Sequence, residues 1–130
     1  MKKHICRISV ISVIFLISFF CFEAFQTTAS IEWKETSVDM GEIPLNNPIT
    51  VEFVFKNPGM IPIIISEVKP SCGCTVADFP KQPILSGKDG KISVTYNAEI
   101  SGYFNKTISV YSNTEEAVTE LYIKGTVIKK

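Results

Sequence analysis

The mature part of the chain alternates between apolar and polar positions with a period of two. Val51, Phe53 and Phe55 share one face between Thr50 and Lys56. Ile92, Val94 and Tyr96 repeat the pattern against Lys91, Ser93 and Thr95. Phe104, Ile108 and Val110 oppose Thr107, Ser109 and Tyr111, and Leu121 and Ile123 alternate with Glu120, Tyr122 and Lys124. β-Branched and aromatic residues at this period are the signal of half-buried strands. The segment Ile61–Val68 is more continuously apolar, and its Pro62 places it near a strand start or an edge.

Turn chemistry punctuates these runs: Asn46-Asn47-Pro48, Asn57-Pro58-Gly59, Ser86-Gly87-Lys88-Asp89-Gly90, Ser101-Gly102 and Ser112-Asn113. Gly59, Gly90 and Gly102 are therefore read as turn-forming, as is Gly73 between two cysteines. After the N-terminal apolar run no window carries a helical stripe. Short strands at about ten-residue spacing describe an all-β sandwich of about seven antiparallel strands. They are expected near 31–34, 37–40, 49–57, 61–69, 90–97, 103–111 and 117–127, with 75–89 as a long connection or weak extra strand.

The N-terminus reads differently. Lys2, Lys3 and Arg7 precede an uncharged apolar run from Ile8 to Phe22, and Glu23 and a polar stretch follow. Basic start, apolar centre and small-residue exit form a secretory signal peptide. Thr27 and Ala29 supply the small residues for a cut before Ser30, and Ala24 offers the next site. The division expected is a signal peptide over 1–29 and one domain over 30–130. The apolar run has 15 residues, against roughly 20 for a comfortable membrane span, which sets an uncleaved anchor second to a cleaved signal. Lipidation at Cys21 is disfavoured by the bulky Phe19 and Phe20 before it.

Cleavage removes Lys2, Lys3, Arg7 and Glu23, so the balance moves from 13 against 13 to ten lysines against twelve acids. No arginine remains. A near-neutral, arginine-free domain lacks the basic surface that nucleic acid requires.

The chemistry that stands out is Cys72-Gly73-Cys74. Two extended residues span about 6.6 Å, near the top of the roughly 4.4–6.8 Å between α-carbons that a disulfide tolerates. A bend at Gly73 would shorten the span. Three readings follow: a local disulfide or a pair of buried thiols in a tight bend, a soft-metal site, or a redox pair. Two thiolates could hold Cu(I), with Met40 or Met60 as a third ligand. Zinc would need four ligands and hence a second chain. Catalytic thiol exchange lacks its usual activators, because His4 departs with the leader and no helix follows Cys74. Ser71, Ser86 and Ser101 likewise have no histidine to activate them. The acids Asp78, Asp89, Glu99, Glu115 and Glu116 lie near turns as solvated charges. Trp33 is expected to pack on the sandwich, an exposed ring there favouring a glycan or partner.

One order of motifs is specific. Phe53-Val54-Phe55-Lys56-Asn57-Pro58-Gly59 is followed by Ser71-Cys72-Gly73-Cys74-Thr75, then by Gly102-Tyr103-Phe104 and Ser112-Asn113. The chain resembles the bacterial domain-of-unknown-function family 1573 over nearly all of its mature length. The resemblance implies an immunoglobulin-like sandwich akin to chaperone-pilin domains, exported, often in Bacteroidetes-type bacteria, and brings no established activity. The expectation is a non-enzymatic binding module of the cell envelope, without cofactor, its partner an envelope protein or glycan. The alternative is an envelope thiol protein using Cys72 and Cys74 for Cu(I) or redox work.

Overall fold

The computed structural model describes residues 28–129; the leader expected over 1–29 lies almost wholly outside them. Eight strands follow in order: β1 (Glu32–Trp33), β2 (Ser37–Pro44), β3 (Ile49–Lys56), β4 (Ile65–Pro70), β5 (Thr75–Asp78), β6 (Asp89–Tyr96), β7 (Gly102–Ser112) and β8 (Val118–Ile128). They form two four-stranded sheets, β1-β3-β6-β5 and β2-β8-β7-β4. This is the strand arrangement of an immunoglobulin-like sandwich, with the first strand split between the two sheets.

The alternating positions become the core. Phe53, Phe55, Ile92 and Val94 of the first sheet face Ile108, Val110, Leu121 and Ile123 of the second, each no more than 1% exposed. Burying such side chains contributes about 1.5–3 kcal/mol each. Tyr96 and Phe104 stack across the sheets with centroids 4.0 Å apart and planes 17° from parallel.

Three departures from the expected pattern have physical causes. First, the strand expected from residue 61 starts at Ile65. Pro62 has no amide to donate, and Ile63 makes only an isolated bridge to Ile84. Second, part of the stretch 75–89 is a true strand, β5, in register with β6 from Thr75↔Tyr96 to Asp78↔Ser93.

Third, not every neighbour is antiparallel: β2 runs parallel to β8. After β1 the chain crosses to the other sheet and enters it in the direction of its last strand. β2 also continues to Pro44 through an irregularity between Asp39 and Glu42. There Gly41 takes φ +67 and its amide is held by Asp39 Oδ1 at 2.9 Å. A left-handed residue of this kind is where glycine is favoured.

Gly90 is not in a turn. It lies in β6 opposite Phe55, whose ring occupies the space a Cβ would need. Gly125 repeats the device in β8 opposite Phe104; a Cβ there would come 2.8 Å from the Gly41 carbonyl and 2.9 Å from the Phe104 ring. Each sheet thus lays a phenylalanine over a cross-strand glycine.

Candidate functional site

The two cysteines lie where the chain passes from the edge of one sheet to the edge of the other. β4 closes at Pro70, and β5 opens at Thr75. Cys72 and Cys74 are joined in a disulfide with α-carbons 5.3 Å apart, and both are half-buried. Gly73 sits in the turn with no positive φ and open space where a Cβ would go. The shortened span therefore does not depend on glycine's special conformations.

The corner is tied on both sides. The Ser71 amide donates to the Thr107 carbonyl at 2.8 Å, and the Thr107 amide donates back to Ser71 Oγ at 3.2 Å. The Asn97 amide donates to the Cys74 carbonyl at 3.0 Å. The buried Thr75 hydroxyl lies 3.6 Å from Cys72 Sγ and 3.9 Å from Cys74 Sγ. Both sulfurs are bonded to each other, so a metal would require reduction first. Neither methionine is placed to help. Met40 is on β2, at the opposite edge of the sheet from β4, and Met60 is 91% exposed in the β3–β4 loop. Among the described residues no group of three or more His, Cys, Asp or Glu is placed to hold a metal.

The edge that leaves this corner is unusual. The Asn97–Cys74 bond fixes the alternation of the β5–β6 ladder, so Cys74, Val76 and Asp78 turn their backbone groups toward β6. Thr75 and Ala77 therefore turn theirs away. The Thr75 amide is taken by the Cys72 carbonyl. Among the described residues no strand lies beyond β5, and Val76 on its outer face is 67% exposed. The other three edges are blunted. β1 has two residues, β2 carries the Gly41 irregularity and ends in Pro44, and β4 shifts register between Ile65 and Glu67 and ends in Pro70. Irregularities, prolines and short length are the usual protections of a sheet edge; β5, like β1, has only its shortness, with four residues against two.

At the opposite end two asparagines hold the β3–β4 loop. Asn57, fully buried, donates from Nδ2 to the carbonyls of Ile61 and Ile84, both at 2.9 Å, and accepts the Gly59 amide at 3.0 Å. Asn113 donates to the Pro62 carbonyl at 2.9 Å and accepts the Ile64 amide at 2.8 Å. Sequence reasoning read both as turn formers; their reach to residues distant in the chain left no local mark. The Gly59 turn belongs to this clamp, while Gly102, with φ +113, opens β7. Trp33 is half-buried against Phe55, centroids 5.1 Å apart, and its Nε1 has no partner among the described residues.

The asparagine turns and the cysteine corner are thus structural nodes of one sandwich, and the match to known sequences covers all of them. The profile of the family described as "Protein of unknown function (DUF1573)" matches residues 31–127. The chain belongs to the DUF1573 family. No curated protein matches it.

Among solved structures, a protein of unknown function from Porphyromonas gingivalis W83 superposes with a TM-score of 0.69 at 18% identity, over 82% of this chain and 51% of that one. The chain thus spans about half the length of that relative. The ASH/PapD-like domain 7 of human CEP192 gives 0.65 at 11% identity, over 84% of this chain and 92% of the domain. The YadV chaperone gives 0.50 at 14% identity, over 77% of this chain and 52% of that one. At such identities the likeness establishes the PapD-like, immunoglobulin-like fold.

Proposed function

We propose that this DUF1573 domain is an exported, non-enzymatic binding module of the bacterial cell envelope, and that it takes a partner's extended segment on the free edge of β5. One observation carries the reading: Ala77 turns its amide and carbonyl away from the sheet beside an exposed Val76, on a four-residue edge strand that contains neither irregularity nor proline. Backbone groups at such an edge supply affinity for any extended chain, and side chains on alternate positions supply selection. The disulfide-closed, doubly anchored corner fixes where that edge begins. It gives the incoming strand a rigid register.

The test is Ala77→Pro. Proline there removes the outward amide and leaves every β5–β6 hydrogen bond in place. Affinity capture from the protein's own envelope, read by mass spectrometry, should recover a partner with the native domain and lose it with the variant, while melting temperature changes little. A partner retained by Ala77→Pro sinks edge pairing; recovery of no partner sinks the binding reading itself.

The Cys72–Cys74 pair supports one alternative, thiol redox work or, once the bond is reduced, Cu(I) binding. Thiol titration with and without reductant, followed by Cu(I) loading under anaerobic conditions and mass spectrometry, separates the two. No copper uptake by the reduced protein, with capture unchanged in a double Cys→Ser variant, eliminates it.

A further inference from the structure

Ala29 combines the small side chain expected just before a leader cut with a place inside the folded domain. It is 2% exposed and belongs to the hydrophobic core. Its amide donates to the Asn113 carbonyl at 3.2 Å, and it forms an isolated parallel bridge with Thr114. Thr114 is itself buried, its hydroxyl donating to the Glu116 carbonyl at 2.8 Å and lying 2.8 Å from Ser112 Oγ. Asn113 is the residue that clamps Pro62 and Ile64. Ala29 therefore closes the same knot that holds the β3–β4 loop. Its neighbour Ser30 lies against the glycine of that loop, with Ser30 Cβ 3.4 Å from where a Gly59 Cβ would stand.

A chain beginning at Ser30 would lack the methyl group in the core and the hydrogen bond to Asn113. Close packing gives Ala29 a reason to be small that has nothing to do with a peptidase. We infer that the exported chain keeps Ala29, so that any leader cleavage falls upstream of it, Ala24 being the next site that the leader offers. The inference goes beyond the binding reading and stands independently of it. Residues 28–31 form the first structural segment of the domain, and the spacing of Thr27 and Ala29 does not mark a processing site.

The full chain, produced in an exporting bacterium, tests this as wild type and as Ala29→Val. N-terminal sequencing and intact mass of the envelope fraction should give one shared N-terminus, upstream of Ala29, for both proteins. Overpacking should lower the melting temperature of Ala29→Val by several degrees. A wild-type chain starting at Ser30 overturns the inference. So does a processing block caused by Ala29→Val, since a β-branched residue would disturb a cut made directly after it. An unchanged melting temperature overturns it as well.

Discussion

A single buried amide shows how side chains that carry no catalytic chemistry still govern this domain. Asn57 fills three hydrogen-bonding roles at once, reaching Ile61, Ile84 and Gly59. Replacing it with alanine leaves the Ile61 carbonyl and the Gly59 amide without their partner and takes one of two donors from the Ile84 carbonyl, which keeps the Ile63 amide. Asn57→Ala should therefore lower unfolding free energy by about 2–4 kcal/mol, read from the shift of a urea midpoint at constant slope. Asn57→Asp should be harmful too, because it exchanges the two donated bonds for repulsion between oxygens. The sequence marked Asn57-Pro58-Gly59 as a turn and could say no more, since one of the bonds reaches 27 residues along the chain. The cysteines were more legible. Their spacing allowed a disulfide among other states, and the anchors at Ser71, Thr107 and Asn97 are what the spacing alone could not supply.

Strands followed the period-two pattern wherever both faces were distinct. In β3, β6, β7 and β8 the apolar positions named from alternation are the residues that the fold buries, except that Val51 is only half-buried against the core. Glycine was where the pattern misled. Gly90 sits in a run of turn residues and reads as one of them, yet it is a packing position beneath Phe55. Gly125, unremarked in the sequence, does the same beneath Phe104 and also lets the Gly41 carbonyl approach. That carbonyl is backbone and cannot rotate aside. Gly125→Ala should therefore destabilise the fold by about 1–3 kcal/mol, measured by thermal or denaturant unfolding. An unchanged midpoint would mean that β2 moves freely against β8. The direction of β2 was equally hidden, because alternation is the same in parallel and antiparallel strands.

At the scale of the whole molecule, the sandwich responds to alkaline pH through two phenols, the buried Tyr96 and the exposed Tyr122. The ion pairs Glu52–Lys91 and Glu67–Lys69 are both exposed and contribute little. Burial raises the Tyr96 pKa above its ordinary value. The Tyr96 phenol thus stays protonated in the fold at a pH where the unfolded chain has begun to ionise it. The unfolded state then binds fewer protons, so stability falls as pH rises above about 10. Tyr122, whose hydroxyl donates to Glu120 at 2.7 Å, has its pKa raised by that bond and acts with the same sign. Chemical unfolding between neutral pH and pH 11 should show this loss, and Tyr96→Phe should reduce it.

The parallel pairing of β2 with β8, from Ser37↔Tyr122 to Pro44↔Ile128, has a mechanical consequence. The described chain begins beside the β7–β8 hairpin and ends at the far tip of β8. Tension between the termini draws β2 and β8 past each other along their length, loading their hydrogen bonds together in shear. Stretching a single molecule should therefore give one abrupt rupture in place of gradual unzipping.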